Sequence, residues 1–370
     1  MEINNTLNKV FNTAFNIAKN TFDLEKDLQL TVSGKHGSGH VSMPVVADNI
    51  TLSYEWRGAP GKLDFKVLVQ EDKPGQGINY IVEGDQVSLV YKGENIFLGY
   101  VFTRKIDKNN IMQITAYDQL RYLKNKNYYY FENVTATEII KRIAEDFQLK
   151  IGELEDTVYK FESRREDNKT LIDIILTALS LTTQNTKKMY TLYDQYGELT
   201  LKEMENMKIT DFIIDDLSAS DFDYSSSIDS DVYNQIKLTY PNKETKKREN
   251  YIVYDSSNIE RWGLLQLYET IDEKINGKEK ADNLIKLYNS PKRKFSIKKA
   301  FGDIRIKGGS SFLVMLKMGE LDIKNYMIVE SVKHTFKFGE YFMDLNLIKH
   351  IKEKEESAAY TSTSNTEVMT

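Results

Sequence analysis

The sequence predicts a mainly β protein carrying an α+β insertion, with two antiparallel β-barrel domains flanking a small helical/α+β domain. Three observations lead there. Alternation of period two dominates both flanks of the chain, and helical spacing is concentrated in the middle. One strand pattern also occurs twice. Residues 84–118 and 309–349 each run glycine, strand, short turn, long strand, tight turn, closing strand. The first strands, 87–93 and 312–317, each start three residues after a glycine. The long hairpins span 96–117, turning at Asp107-Lys108-Asn109-Asn110, and 326–348, turning at Gly339-Glu340. Unrelated meanders also slide into rough register, because all strands share this period. The pattern by itself leaves duplication and coincidence both open.

In residues 1–24, Leu7, Val10, Phe11, Ala14, Phe15, Ala18 and Phe22 recur at helical spacing, which predicts a short amphipathic helix that must dock on something. Residues 25–125 are expected to form the first barrel. Leu63, Phe65, Val67 and Val69 alternate with Asp64, Lys66 and Gln70 as a half-buried strand, and Pro60-Gly61 and Pro74-Gly75 punctuate turns. Residues 126–215 are the insertion. Thr135-Ala136-Thr137-Glu138 has capping-box spacing and opens a helix running to about Phe147, with Ile139, Ile140, Ile143 and Ala144 inward. A second helix over 170–181 buries Leu171, Ile174, Ile175, Ala178 and Leu179, and a hairpin follows with its turn at 195–197. Residues 216–352 are expected to form the second barrel. It would hold strands 235–240 and 251–254, a helix at about 278–288 stopped by Pro291, and a last strand with Tyr341, Met343, Leu345 and Leu347 on one face. The Ser/Thr-rich tail, 353–370, is expected to be disordered.

At 370 residues the chain exceeds one ordinary core and implies two or three domains. Hydrophobic residues at 41% and charged residues at 28% are globular proportions. The net charge of −5 lacks the basic surplus of a dedicated nucleic-acid binder, so no specific nucleic acid is expected as a partner. No apolar run approaches the roughly 20 residues of a membrane span, so no membrane is expected either. The start, Met1-Glu2-Ile3-Asn4-Asn5, lacks the basic-then-apolar layout of a signal peptide, and synthesis in the cytoplasm is expected. The absence of cysteine removes disulfides, thiolate metal sites and cysteine nucleophiles. The 23 tyrosines suit interfaces and strands equally.

Few short motifs point to chemistry. His36-Gly37-Ser38-Gly39-His40 has two histidines four apart, a spacing that can share a metal on a helix, but three small residues between predicted strands read as a loop tip. Residues 34–39 lack the closing Gly-Lys-Ser/Thr of a phosphate loop, and Gly75-Gln76-Gly77 lacks the third glycine of a dinucleotide fingerprint. His334, beside Lys333 and Thr335, and His350 complete no triad order. Glu205, Asp211, Asp215, Asp216, Asp221, Asp223, Asp229 and Asp231 crowd one stretch against only Lys208. A glycosidase pair and a calcium site are its functional readings, yet Asp229-Ser230-Asp231 lacks the glycine and glutamate of a calcium loop. A solvated acidic face, or the lining of a conduit, is the expectation. Lys243, Lys246, Lys247 and Arg248 read as a solvated hairpin tip, with contact to an acidic partner as the alternative. No catalytic, cofactor-binding or metal residue is assigned.

At Ile114-Thr115-Ala116-Tyr117-Asp118-Gln119-Leu120-Arg121-Tyr122-Leu123-Lys124-Asn125 the chain resembles the XkdQ/YqbQ family of prophage tail proteins. More distantly it is similar to the late control protein D family and the N-terminal part of VgrG. Further matching pieces follow in family order: 135–140, the Gly-Glu-Leu-Thr-Leu of 197–201, 233–238, Trp262-Gly263-Leu264-Leu265-Gln266, and 330–336 leading to Met343-Asp344-Leu345. The resemblance covers about residues 25–350. It implies a baseplate hub of a contractile phage tail or tail-like bacteriocin, built from tail-tube-like barrels duplicated in one chain. It implies a homotrimer that adapts the six-fold tube to the three-fold spike, with the tail tube protein, the spike and other baseplate and LysM-type tail proteins as partners. Related families carry fused lysozyme or peptidase domains, for which this chain has no length to spare. Two other readings stay open: a cell-wall hydrolase using Asp215, Asp216 or Asp223, and a tail component gripping carbohydrate through tyrosine-rich loops.

Overall fold

The structure, a computed structural model, describes residues 22–23, 26–34, 41–42, 49–68, 81–215, 218, 220–242, 246–272, 275–318, 321–349 and 361–368. The expected N-terminal helix lies outside them, apart from Phe22 and Asp23. In chain order the strands are β1 (Leu28–Ser33), β2 (Val41–Ser42), β3 (Ile50–Glu55), β4 (Lys62–Leu68), β5 (Gln86–Tyr91), β6 (Glu94–Ile106), β7 (Ile111–Tyr117), β8 (Lys126–Thr135), β9 (Ile151–Leu154), β10 (Lys160–Thr170) and β11 (Tyr190–Asp194). There follow β12 (Leu199–Glu203), β13 (Lys208–Asp215), β14 (Asp221–Ser227), β15 (Gln235–Asn242), β16 (Lys247–Tyr254), β17 (Gln266–Thr270), β18 (Lys292–Phe301), β19 (Ser311–Met318), β20 (Leu321–Lys337), β21 (Glu340–Lys349) and β22 (Thr361–Val368). The α-helices are α1 (Ala136–Asp146), α2 (Leu171–Thr186), α3 (Ser256–Trp262) and α4 (Gly277–Tyr288).

The chain forms two compact units, Met1–Asp223 with Phe295–Lys349, and Tyr224–Lys294 with His350–Thr370. The first is built on one 13-stranded sheet, ordered β14-β18-β21-β20-β3-β4-β7-β6-β5-β1-β2, with β19 on β20 and β13 on β19. The two strand blocks are therefore continuous, and no closed barrel forms among the described residues. They join where β3 pairs antiparallel with β20, from Glu55↔Ser331 to Ile50↔Phe336. Each of these strands would otherwise present an open row of backbone donors and acceptors, and pairing satisfies both. Period-two burial follows the sequence: Leu63, Phe65 and Val67 of β4 are buried, as are Tyr341, Met343, Leu345 and Leu347 of β21. The β20–β21 turn is Phe338-Gly339, both at positive φ, one residue before the expected position.

The insertion packs α1 and α2 against the β8–β10 pair and the β11-β12-β9 sheet, around Ile139, Ile143, Ile174, Ile175, Leu199 and Leu201. The capping box forms as spaced: Glu138 N–H donates to Thr135 Oγ1 at 3.2 Å, and Thr135 N–H to Glu138 Oε2 at 2.7 Å. Helix α2 runs five residues past the expected Leu181. There the hydroxyls of Thr182, Thr183 and Thr186 donate to carbonyls one turn back, until Lys187 turns left-handed at φ 64°. β13 leaves the insertion altogether and pairs parallel with β19.

The second unit corrects two expectations. Residues 224–294, assigned above to a second barrel over 216–352, form with 361–368 a separate sheet, β17-β15-β16-β22. Ile236, Leu238, Val253, Leu284 and Ile285 form a core of their own with helix α4. A helix that buries its apolar stripe on its own sheet has no need of a barrel. In the tail, 361–368 is a strand rather than disordered, because the edge of β16 offers its backbone eight register partners.

Candidate functional site

The repeated pattern holds in backbone detail. Six strands follow the same order in each block, β1-β5-β6-β7-β4-β3 and β13-β19-β20-β21-β18-β14. One relation differs: β1 is antiparallel to β5, whereas β13 is parallel to β19. Ahead of β5 and β19 lie the same turns. Val82 N–H donates to Asp85 Oδ2 at 2.9 Å and Asp85 N–H returns to Val82 O at 3.2 Å; Lys307 N–H donates to Ser310 Oγ at 3.0 Å and Ser310 N–H returns to Lys307 O at 3.1 Å. The glycines inside, Gly84 and Gly309, stand at φ 91° and 93°, a region closed to most side chains. Gly84 N–H donates to Val101 O at 2.8 Å, and Gly309 N–H to Val329 O at 2.9 Å. Val101 and Val329 answer with N–H bonds of 2.8 Å to the carbonyls of Asp85 and Ser310. Immediately after them β6 and β20 both bulge, at Phe102 and Glu330. Two meanders matched by coincidence would not share a turn, a glycine conformation and a bulge.

The second turn also carries a buried polar junction. Lys307, 9% exposed, sends its amine to Gln195 Oε1 at 2.8 Å, and lies between the rings of Tyr54 (5.3 Å) and Tyr193 (5.1 Å). Asp118, at the end of the first block, receives Gly61 N–H at 2.7 Å and Leu120 N–H at 3.0 Å. Asp194, at the end of β11 in the insertion, receives Gly197 N–H at 2.7 Å, and its Oδ2 has no hydrogen-bond partner. Tyr54, Asp118, Tyr193, Asp194 and Lys307 line one small cavity. Burial raises the carboxyl of Asp118 well above its usual range, reinforced by Asp194, and raises Asp194 to about 6. Burial lowers the Lys307 amine to about 8 against the pull of both carboxylates. The cluster ties the first block, the insertion and the second block together by charge and hydrogen bonds.

Beside it, Nε2 of the fully buried His334 donates to the Ile306 carbonyl at 3.0 Å. Its Nδ1 must then accept from Tyr341 O–H at 2.8 Å, which fixes a neutral ring. Burial pushes this histidine down to about 4. Phe22, Tyr91, Phe336 and Tyr341 continue the seam, with Tyr91 5.2 Å from both Phe336 and Tyr341. Here strand blocks far apart in sequence share one core.

The residues singled out from sequence scatter. His36, His40, His350, Asp216 and Lys243 lie outside the described residues. Asp211 is gripped by Arg305 Nη1 at 2.9 Å, and Lys208 lies over the ring of Tyr326 at 3.5 Å. Asp215 is bound to Ser218, and Asp231 pairs with Lys292. Asp221, Asp223 and Asp229 are exposed. Lys246 occupies a turn and Lys247 and Arg248 begin β16. Among the described residues, no three His, Asp or Glu side chains are grouped to hold a metal ion, and no helix is long and apolar enough to cross a membrane. Asp118, Asp194 and Lys307 were not found from sequence. Asp118 lay inside the 114–125 motif and Lys307 just before Gly308-Gly309, but nothing local marks them as buried.

Residues 50–348 match the family model described as YQBQ-like. The chain is 30% identical over 314 residues to YqbQ of Bacillus subtilis (strain 168), spanning 83% of this chain and 93% of that protein. It is 29% identical over 313 residues to the phage-like element PBSX protein XkdQ of the same organism, spanning 83% and 94%. Among solved structures, the 43 kDa tail protein of prophage MuSo2 from Shewanella oneidensis shares the fold, with a TM-score of 0.64 at 14% identity over 88% of this chain and 98% of that one. With its repeated turns, its continuous sheet and a family match across most of its length, the chain belongs to the YQBQ-like family.

Proposed function

We propose that this protein is a structural baseplate hub of a contractile phage tail or tail-like particle. Three copies would present six similar strand blocks as a pseudo-six-fold ring, joining a hexameric tail tube to a trimeric spike. The observation that carries this reading is the internal repeat: the same six-strand order, glycine turn and bulge in both blocks of one chain. Heterologous contacts between similar blocks close into a ring of six when each step rotates by about 60°. The sequence similarity to a phage-like element protein, and the fold shared with a prophage tail protein, support the same role. Its partners would be its own copies, the tube protein, the spike and neighbouring baseplate proteins, and its place the tail of the assembled particle. The polar junction serves this role by fixing the two blocks to each other and to the insertion rather than by doing chemistry.

Native mass spectrometry of the purified chain, alone and with tube protein, tests the proposal. A trimer that forms rings with the tube protein is the expected result. A monodisperse monomer at assembly concentrations, giving no ring with tube protein, would overturn it. Electron microscopy of labelled particles should find the chain at the tube–spike junction.

A further inference from the structure

The C-terminal strand is joined to its sheet in an unusual way. β22 adds to the outer edge of β16 through eight register pairs, from Lys247↔Val368 to Tyr254↔Thr361. Its sequence, Thr-Ser-Thr-Ser-Asn-Thr-Glu-Val, holds a single aliphatic residue. The other neighbour of β16 is different: β15 brings buried Ile236, Leu238 and Tyr240 to the core. By sequence β22 brings little apolar surface, and its eight backbone register pairs are the type of pairing by which extended segments add to a sheet edge. Two features of β16 mark the register. Arg248 stands across from Glu367, an opposite-charge pair of positions. Asn250, 2% exposed and with neither side-chain polar atom partnered, stands across from Asn365.

We propose that the β16 edge is an acceptor site for an extended strand, occupied by residues 361–368 of the same chain and able to take the same strand from a second copy. A strand that brings little apolar surface is cheap to release. An edge that carries a charge and a buried amide at fixed positions still selects sequence and register. The site would let neighbouring copies in an assembly exchange their tails without rebuilding either core. This inference rests on the second unit alone and is independent of the hub reading.

The probe is a fluorescein-labelled synthetic peptide of residues 357–370, added to a chain ending at Glu356 and to the full chain. Saturable binding to the shortened chain, at least tenfold tighter than to the full chain, is expected because the resident strand competes. Arg248→Glu in the shortened chain should weaken binding at least fivefold, and a Glu367→Arg peptide should recover it. Because the chain has no cysteine, a second measurement does not depend on truncation. Full-length Arg248→Cys and Glu367→Cys chains, mixed and oxidised, should form a disulfide-linked heterodimer above the level of either alone. No peptide binding to a folded shortened chain, equal binding to both chains, or failure of the charge swap overturns the proposal. If the shortened chain does not fold, absence of the heterodimer overturns it.

Discussion

At the scale of single residues, the junction and the histidine beside it hold buried titratable groups with opposite pH signatures. The folded-state value of His334 is depressed to about 4, below its ordinary 6.5. The folded chain therefore binds fewer protons than the unfolded chain between those values, and this group's contribution to stability falls as pH drops from 6.5 towards 4. Asp194 is raised to about 6, so the folded chain holds a proton that the unfolded chain has released, and its contribution falls as pH rises through 4 to 6. The two slopes partly cancel in the whole protein and are separated by substitution. His334→Phe leaves the Ile306 carbonyl and the Tyr341 hydroxyl without their partner, and is expected to lower stability at pH 7 by about 1–3 kcal/mol. The same variant should lose less stability than the parent between pH 6.5 and 4.5. Urea denaturation at four pH values across that range checks both; parallel curves for parent and variant would show that the histidine does not titrate as described.

At the scale of elements, the two glycine turns make a differential prediction. Gly84→Ala meets no atom within 4 Å, so only the φ of 91° opposes it, at a cost of about 1–2 kcal/mol. Gly309→Ala brings the same conformational cost, and its Cβ would also lie 2.9 Å from Thr191 Cγ2 in the insertion. It should therefore cost about 1–3 kcal/mol more. Thermal unfolding of both variants checks the ranking; equal losses would deny the contact with the insertion. The turns also show what sequence could reveal. Glycine followed by an alternating strand is a local signal, as are the capping box at Thr135 and the period-3.6 stripes of α1 and α2, and all are found where they were expected. What escaped depends on distant partners. β10, Lys160–Thr170, is so polar that only its pairing with β8 makes it a strand. β3 and β20 pair across most of the chain length, and no local pattern selects that match. Asp118, Asp194 and Lys307 are ordinary surface residue types, and burial is conferred on them by three segments converging. The acidic run was expected as a solvated face: Asp221, Asp223 and Asp229 are exposed, while Asp215 meets Ser218 and Asp211 meets Arg305, a partner that lies outside any local pattern.

At the scale of the whole molecule, continuity of the sheet decides which parts can exist alone. The strand blocks of the first unit share the β3–β20 ladder, the aromatic seam and the buried junction, so neither has a complete core without the other. The second unit is different. It has its own sheet and core, and the chain leaves and re-enters the first unit through neighbouring strands, β14 and β18. Their contacts run in opposite directions: Phe301 N–H reaches Ser218 O at 3.2 Å, Ser220 N–H reaches Lys298 O at 3.2 Å, and Phe222 stacks on Phe295 at 6.2 Å. The two strands thus form a hairpin whose connection happens to be a folded unit, and a tight turn can replace it. A chain in which residues 228–291 are exchanged for Asn-Gly and the tail after Lys349 is removed is expected to stay soluble and unfold cooperatively, and its oligomeric mass should scale with the shortened chain. By contrast, residues 25–125 expressed alone should show no cooperative transition. Circular dichroism melts and light scattering of both fragments check the contrast. If the excised chain aggregates while 25–125 folds, the first unit is two independent domains, and the continuous sheet is not what holds the protein together.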